Sequence, residues 1–372
     1  MRTVEELLSI PVNENKAAAD AAARQWDSIA KPLGSLGLLE EDIVRIAALT
    51  GNADVRLQKR ALLVFCADHG VTAKGVTQCG SEVTAKVAAA LARGMSTVNP
   101  MARIANCEVI PVDMGILDFS PIPGVISRRV GNGTADLSEG PAMTRGQCRQ
   151  AIAAGADLVR EMAEEGFRIV AVGEMGIANT TSAAAVAACL LHLAPEDVTG
   201  RGAGLSDEGL KRKREAVRSS LQVNRPDAED VLDVLAKVGG FELAGMCGAF
   251  LGAGNEKIPV IIDGMISAVA ALCAMHMKPT ARAAFLASHV SSEPAGKILL
   301  DALGLQAPLH AGMHLGEGSG AVCLLPLLDQ ALAVYHSGQN FEKLGIEAYT
   351  PQNGKNADID DRGSFQRKKP VC

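Results

Sequence analysis

The sequence repeats short apolar runs that end in small or acidic residues, and a helical pattern follows most of these runs. Strands are predicted at Ala61–Ala67, Glu108–Asp113, Phe167–Val172, Pro259–Ile262 and Arg282–Ala287. The runs are apolar at successive positions, so both faces of the sheet must be covered, which is typical of parallel strands. Because crossovers between parallel strands are right-handed, we expect a three-layer α/β/α fold around a mostly parallel, Rossmann-like sheet.

Ala-rich segments between these strands are predicted helices, namely Ser81–Ala92, Thr144–Glu165, Ser182–His192, Glu208–Val223, Ala228–Val238 and Phe241–Ala253. The first fifty residues and the segment from Gly318 to about His336 are also helical in pattern. We expect the two chain ends to pair as a small helical lobe (1–55 and 317–350) beside an α/β domain (56–316). Residues 351–372 are charged and turn-rich, which predicts a disordered tail.

The composition excludes several classes of partner. A formal net charge of −6, a pI near 5.7 and only eleven aromatic residues, one Trp, two Tyr and eight Phe, argue against a nucleic-acid surface. Nine cysteines lie mostly in apolar runs without C-x-x-C spacing, which predicts reduced, buried thiols. The start of the chain lacks the form of a signal peptide, and the longest apolar stretch, about 265–277, is too short to span a bilayer. We expect a soluble, cytoplasmic protein without a membrane partner.

Polar residues follow every predicted strand. The carboxyl ends of parallel strands meet at one edge of a sheet, and such sheets bind their ligands there. One polar strand end is ordinary turn chemistry, but five in succession predict a single shared site. The five segments are D-H-G-V (68–71), D-M-G-I (113–116), G-E-M-G-I-A-N-T-T-S (173–182), D-G (263–264) and S-H-V-S-S-E-P (288–294).

Two of the motifs have the features of anion sites. Residues 179–182, N-T-T-S, open an Ala-rich helix after a glycine turn, and a helix N-terminus attracts anions through its free N–H groups and its dipole. Simple N-capping by Thr or Ser explains this stretch equally well. The glycines of 199–208, T-G-R-G-A-G-L-S-D-E, permit a nest of N–H groups within reach of Lys213, or else form a flexible loop. No strand precedes this G-x-G-x-G, which excludes a nicotinamide-coenzyme fingerprint.

Asp68-His69 together with His289, His310 and His314 raises the possibility of a metal site or a catalytic triad. However, H-E-x-x-H is absent, H-x-x-x-H occurs only once, at His310 and His314, and no cysteine is adjacent to a histidine. G-x-S-x-G is also absent from the sequence. The pattern therefore favours structural histidines over a metal site or a hydrolase triad.

Glu174 and Glu317 are the two acids set among glycines, in V-G-E-M-G and H-L-G-E-G-S-G-A. A carboxylate in a dry pocket has a raised pKa, which makes it a competent base near neutral pH. Neighbouring glycines allow a flat ligand to approach the backbone closely. Either acid could instead be an exposed turn residue, and the pattern alone leaves both possibilities open.

Taken together, these strings resemble the nicotinate-nucleotide–dimethylbenzimidazole phosphoribosyltransferases, which activate the lower base of cobalamin. The matching stretches follow the family's order from about residue 31 to 321. They are K-P-L-G-S-L-G-L-L-E, C-A-D-H-G-V, G-E-M-G-I-A-N-T-T-S-A-A, G-R-G-A-G-L, S-H-V-S-S-E-P and H-L-G-E-G-S-G-A.

The resemblance implies that nicotinate mononucleotide donates its 5-phosphoribosyl group to a benzimidazole nitrogen, with Glu317 as general base. Glu174 and Asp263 are candidates for stabilising positive charge on the ribose. The resemblance also implies a homodimer of three-layer α/β subunits with a small helical lobe, without metal or coenzyme. From the resemblance, the 5′-phosphate is assigned to Gly176, Asn179, Thr180, Thr181, Gly202, Gly204, Lys213 and Ser291.

One departure from the family concerns the wall of the base pocket. Family members commonly carry Tyr-Pro or Ser-Pro where this chain has Cys79-Gly80. A roomier wall would admit adenine or other benzimidazoles, since an apolar slot separates small substituents by only ~1–3 kcal/mol. Two further alternatives remain, a non-catalytic nucleotide-binding or sensor protein and a phenol-accepting relative that works as a pair of unlike subunits.

Overall fold

The computed structural model describes residues 2–350. Six strands form one sheet in the order β3-β2-β1-β4-β5-β6, and every neighbouring pair is parallel. This confirms the predicted α/β/α class with a parallel sheet. The strands are β1 (Arg60–Ala67), β2 (Cys107–Gly115), β3 (Ile126–Ser127), β4 (Ile169–Met175), β5 (Val260–Ile262) and β6 (Phe285–Ala287).

Helices connect the strands and cover both faces of the sheet. Two short 3-10 helices, Gly70–Lys74 and Pro279–Ala284, lie after β1 and before β6. The α-helices are α1 (Val4–Ser9), α2 (Lys16–Ser28), α3 (Leu38–Thr50), α4 (Glu82–Ala92), α5 (Val98–Ile104), α6 (Arg145–Glu164), α7 (Asn179–Leu191), α8 (Pro195–Val198), α9 (Asp207–Asn224), α10 (Val231–Val238), α11 (Phe241–Glu256), α12 (Met265–Met277), α13 (Ala295–Leu303), α14 (Ser319–Tyr335) and α15 (Phe341–Leu344).

Strand β1 shows why the sheet is apolar on both faces. All eight of its residues are buried. Leu63 and Phe65 belong to the core formed with α6, α7, α11 and α12, whereas Leu62 and Val64 belong to the core formed with α2, α3 and α14. Because side chains alternate along a strand, an uninterrupted apolar run requires helices on each side.

The helical layer beside α6 and α11 is packed backbone to backbone. A Cβ added at Gly155 would lie 1.8 Å from the carbonyl oxygen of Gly245, and one at Gly248 would lie 1.9 Å from that of Ile152. Only glycine fits at such contacts, which accounts for the glycine spacing within α11. The closely packed helices α6 and α11 cover one face of the sheet whose carboxyl edge supports the site.

The two ends of the described chain lie against each other. The rings of Trp26 in α2 and Tyr335 in α14 have centroids 4.9 Å apart, and the Tyr335 hydroxyl donates to the Ala53 carbonyl at 2.8 Å. Ile29 forms an isolated antiparallel bridge with Asn340. The predicted tail, 351–372, lies outside the described residues.

Several predicted boundaries differ from the structure. The strand predicted at Arg282–Ala287 is wrong over its first three residues, which belong to the 3-10 helix beginning at Pro279, where the Arg282 side chain donates to the Leu303 carbonyl at 2.6 Å. Strand β3 and helices α5, α8, α12 and α13 were not predicted. Helix α7 begins at Asn179 rather than Ser182, and α10 begins at Val231 rather than Ala228.

Two further features bear on the composition. All eight cysteines in the described part of the chain are free thiols. Within residues 2–350, no helix is both long and apolar enough to cross a membrane.

Candidate active site

A cavity of about 310 Å³ opens at the carboxyl edge of the sheet. Its walls come from the loops after β1, β4, β5 and β6, from the loop between α8 and α9, and from the segment before α14. The predicted site residues that line it are Cys79, Glu174, Gly176, Asn179, Thr180, Gly202, Lys213, Asp263, Ser291 and Glu317.

Three predicted residues lie outside this lining. Gly80 directly follows Cys79 in the chain, and the carbonyl of Gly204 accepts a hydrogen bond from the Gln78 side chain. Thr181 is fully buried, its amide donates to the Ala178 carbonyl at 2.9 Å, and its hydroxyl has no partner in the described structure. Successive helical side chains point about 100° apart, so Thr180 faces the cavity and Thr181 faces the core.

Glu317 sits in a loop of three consecutive residues with positive φ, at 86° for Gly316, 57° for Glu317 and 83° for Gly318. A Cβ at Gly316 would lie 2.5 Å from the Glu174 Oε1, and one at Gly318 would lie 2.3 Å from a methyl group of Leu62. The glycines are therefore required both by the backbone and by close contacts. Glu317 itself has a left-handed backbone conformation, which is unfavourable for a residue other than glycine. Such strained conformations are often found at functional sites.

Two hydrogen bonds hold Glu317 in position. Its amide donates to the Glu174 carbonyl at 3.2 Å, and its Oε2 accepts from the Val98 amide at 3.1 Å. Val98 is the first residue of α5, so the carboxylate lies at the positive end of that short helix. The side chain remains half-buried and reaches the cavity.

Glu174, at the end of β4, is buried, and its Oε2 accepts a hydrogen bond from the side-chain Nδ2 of Asn179. Burial raises the pKa of Glu174 to about 8, the charge of Asp263 adds to this effect, and the Asn179 bond opposes it. Near neutral pH the Glu174 carboxyl is therefore largely protonated in the ligand-free protein.

Asp263 follows β5 and caps a helix from another part of the chain. Its Oδ1 accepts from the amides of Gly320 at 2.7 Å and Ala321 at 3.1 Å, and its Oδ2 accepts from Gly318 at 3.2 Å. Helix α14 has Gly318 as its N-cap and therefore no cap from its own side chains. Burial raises the pKa of Asp263 to about 6, and the backbone hydrogen bonds oppose that rise.

The cavity wall also contains a buried lysine. Lys213 is 1% exposed, and its Nζ donates to the Thr180 Oγ1 at 2.7 Å. Burial lowers the pKa of Lys213 to about 8, while the charge of Glu293 opposes this change. Gly202 lies beside them with φ of 55°. The N-cap of α7 is Ala178, so its threonines and serine do not cap the helix, and the N-capping alternative is wrong.

Several residues that the sequence did not single out also shape the cavity. Gln78 lines it next to Cys79, and its side-chain amide donates to the carbonyls of Ala203, at 2.9 Å, and Gly204. Glu293 lines the same cavity, within the S-S-E-P motif. The contacts of both residues join segments that are far apart in the sequence, so local pattern could not predict them. The S-S-E-P motif was the one sequence feature that pointed to Glu293.

The histidines divide into two groups. His69 is buried away from the cavity, with Nε2 2.9 Å from Glu242 Oε1 and Nδ1 2.8 Å from Ser182 Oγ. His289 and His314 line the cavity, and burial lowers the pKa of His289. Throughout residues 2–350, no group of three or more His, Cys, Asp or Glu could hold a metal ion.

A parallel α/β sheet whose edge cavity is lined by carboxyl groups and a buried lysine defines a protein that binds a small anionic ligand beside acid–base groups. A protein-family model described as Phosphoribosyltransferase (DBI_PRT) matches residues 12–346. The chain therefore belongs to this family of phosphoribosyltransferases.

Named relatives make the family more specific. The nicotinate-nucleotide–dimethylbenzimidazole phosphoribosyltransferase of Acetivibrio thermocellus is 42% identical over 91% of this chain and 96% of its own length. The enzyme of that name from Escherichia coli is 41% identical over 91% and 94% of the two chains. The crystal structure of CobT from Thermus thermophilus matches with a TM-score of 0.84 and 40% identity, covering 89% of this chain and 99% of that one.

Proposed function

We propose that this protein transfers the 5-phosphoribosyl group of nicotinate mononucleotide to 5,6-dimethylbenzimidazole or a related base. The products are the α-ribotide, used in the nucleotide loop of cobalamin, and nicotinate. Family membership supports the reaction class. The observation that carries the proposal is that Glu317, Glu174 and Lys213 line one cavity.

Glu317 is the proposed general base. The attacking azole must lose its N–H proton while its other nitrogen forms the bond to the anomeric carbon. A carboxylate that accepts a hydrogen bond from this N–H both orients the ring and takes the proton. This role is supported by the half-buried position of Glu317 and by its anchoring to Val98 and Glu174.

Glu174 and Asp263 are proposed to stabilise the positive charge that the ribose gains as nicotinate leaves. Attack from the face opposite the leaving group converts the β-linkage into an α-linkage. The pyridinium of the bound nucleotide would favour the ionised form of Glu174 and so lower its pKa. Asp263 keeps its carboxylate on the start of α14, so its proposed effect on the ribose acts through charge rather than contact.

The 5′-phosphate is proposed to bind beside Lys213 in the cavity. A buried ammonium, a hydroxyl and glycine N–H groups are the donors that phosphate oxygens prefer. The proposed contacts are Gly176, Asn179, Thr180, Thr181, Gly202, Gly204, Lys213 and Ser291. The position of the Thr181 hydroxyl in the core disfavours a side-chain contact from that residue.

The Cys79-Gly80 segment, of which Cys79 lines the cavity, is proposed to relax the choice of base. Cys79 is exposed and lines the cavity, and it is smaller than the tyrosine common in the family. Adenine and other benzimidazoles are therefore further candidate acceptors. A phenol-accepting relative would need an unlike second subunit, so activity of this chain alone separates the two possibilities.

We further propose a cytoplasmic homodimer, with 56–316 as the catalytic domain and 1–55 plus 317–350 as a helical lobe. The lobe is supported by the packing of Trp26 against Tyr335. Sedimentation velocity should give a species of about twice the 38.6 kDa chain mass.

The decisive experiment incubates the purified chain with nicotinate mononucleotide and a panel of bases and identifies the products by mass. Glu317→Gln should keep the fold and nucleotide binding but lose about 10²–10⁴ in kcat, because an amide cannot accept the proton. The matched control is Glu342→Gln, an exposed glutamate in α15, which should stay fully active. Near-full activity of Glu317→Gln would contradict the assigned role. Nucleotide binding without nicotinate release in the wild type would favour a sensor.

A further inference from the structure

Glu293 is an acid in the part of the cavity where an anion is expected. It lies between β6 and α13, in the S-S-E-P segment, and lines the cavity beside Gly202 and Lys213. A negative charge at this position opposes the binding of any anionic ligand, so its contacts require an explanation.

The carboxylate of Glu293 lies directly on the glycine loop. Its Oε1 accepts a hydrogen bond from the Gly202 amide at 3.1 Å, and its own amide donates to the Ser291 Oγ at 3.3 Å. Oε2 is buried and has no hydrogen-bond partner within residues 2–350. A Cβ at Gly200 would lie 1.9 Å from that oxygen, so glycine is what lets the carboxylate approach the backbone.

The cationic group of the same part of the cavity is close by. A Cβ at Gly202 would lie 3.2 Å from the Lys213 Nζ and 3.1 Å from the Thr180 Oγ1. A backbone N–H, an ammonium and a hydroxyl therefore converge within a few ångströms. Glu293 bonds the first of these directly, and its charge acts on the second. Its carboxylate thus bonds one of the donors that a phosphate group prefers and acts by its charge on a second.

We propose that the Glu293 carboxylate occupies the phosphate subsite of the ligand-free protein and is displaced when a phosphomonoester binds. The inference rests on the proposed function, which assigns Gly202 and Lys213 to the 5′-phosphate. A phosphomonoester carries a charge of about −1.5 to −2 at pH 7 and three acceptor oxygens, so it competes better than a carboxylate for these donors. A buried oxygen without a partner is costly, which lowers the cost of displacing it.

Glu293 is accordingly a specificity-determining residue. A ligand without a phosphate leaves the carboxylate in place and gains nothing from this part of the cavity. A phosphomonoester must overcome a like charge, so its measured affinity is lower than its contacts alone would give.

The test measures calorimetric binding of nicotinate mononucleotide and of its unphosphorylated riboside to the wild type and to Glu293→Gln. The amide keeps the size of the side chain and removes its charge. We expect the variant to bind the nucleotide about five- to tenfold more tightly, with unchanged riboside affinity, because a like charge is removed from a partly buried site. Inorganic phosphate should also compete with the nucleotide more effectively in the variant.

Glu293→Asp provides a second variant that retains the charge. Its shorter side chain should weaken the contact with Gly202 and give an intermediate nucleotide affinity. Circular dichroism checks that both variants are folded. Equal or weaker nucleotide binding by both folded variants would overturn the inference, since Glu293 would then be a ligand contact or have no effect. Equal affinity of the wild type for nucleotide and riboside would instead refute the phosphate site itself, and the inference with it.

Discussion

At the scale of single residues, the site contains two glutamates with similar sequence surroundings and different environments. Glu174 is buried and bonded to Asn179, whereas Glu317 is half-buried and bonded to the amide of Val98. Burial raises the pKa of Glu174 to about 8, with a contribution from the charge of Glu317 itself. A negative charge on Glu317 therefore disfavours ionisation of Glu174.

The raised pKa of Glu174 predicts a stability that depends on pH. Its ordinary value is 4.5 and its folded value is about 8, so between these limits the folded state keeps a proton that the unfolded state releases. This contribution to stability is fully present below about pH 4.5 and is lost as pH rises through about 8. Glu174→Gln cannot ionise, so its stability relative to the wild type should increase between about pH 5 and 8.5. Since each pKa unit corresponds to about 1.4 kcal/mol, the gain should be a few kcal/mol at most.

Guanidinium unfolding of Glu174→Gln and of the wild type, at about pH 5 and at about pH 8.5, measures how their difference in stability changes with pH. Glu342→Gln again serves as the exposed control and should show none of it. A difference between Glu174→Gln and the wild type that does not change with pH would contradict the raised pKa.

The sequence predicted the acids of the site better than their partners. Glycines on either side of Glu174 and Glu317 marked both as unusual, since an acid with close glycine neighbours is packed near other backbone. The roles of Asp263, Glu293 and Val98 arise from contacts between distant segments. Helix α14 and the loop after β5, for example, are more than fifty residues apart in the chain. Local pattern carries no information about such pairs.

At the scale of elements, helix α14 depends on strand β5 for its start. Its first amides donate to the Asp263 carboxylate, and the Glu317 loop immediately precedes them. A Cβ at Gly173 would lie 2.4 Å from the Gly318 amide nitrogen, so the same loop also presses on β4. The position of the proposed base is therefore fixed by two strands and a helix terminus.

Asp263→Asn tests this dependence. The amide has one acceptor oxygen where the carboxylate has two, so at least one buried N–H at the start of α14 loses its partner, at about 1–3 kcal/mol for each. We expect lower stability and lower kcat, because the Glu317 loop is no longer held. Urea unfolding and the product assay measure the two effects. Asp301→Asn, in an exposed pair with Lys297, is the matched control and should cost less than about 1 kcal/mol.

Full stability of Asp263→Asn would show that the three amides find other partners. Loss of turnover without loss of stability would instead favour a direct electrostatic role for Asp263. The paired measurements therefore separate capping from charge stabilisation.

Elements with a clear start signal were easier to predict than those without one. Helix α6 begins after Thr144, whose side chain and that of Gln147 form a capping box, and its predicted limits were within one residue. Helix α12, M-I-S-A-V-A-A-L-C-A-M-H-M, is buried almost all round and has no amphipathic period. Strand β3 has two residues, too few for any alternation to be visible.

At the scale of the whole molecule, the proposed helical lobe shares an apolar core with the sheet. Trp26, Leu62, Val64 and Tyr335 belong to one continuous apolar core. Removing the end helices would uncover part of one face of β1, which α4 and α5 also help to cover. The hydrophobic pattern of the sequence predicted helices at both chain ends but did not predict this shared core. The spacing of apolar residues shows which face of a helix is apolar, but it does not show which element packs against that face.

Cooperative unfolding should reveal this shared core. Chains of more than about 150 residues often unfold in stages, with separate lobes melting at different denaturant concentrations. Trp26 is the single tryptophan of the chain, is buried at the junction of the two ends and reports that junction through its fluorescence. Far-ultraviolet circular dichroism reports helices throughout the molecule. We expect the two signals to share one midpoint in guanidinium, because exposing Trp26 uncovers the sheet. A fluorescence transition at clearly lower denaturant would show that the chain ends form an independent lobe, with the sheet face stable without them.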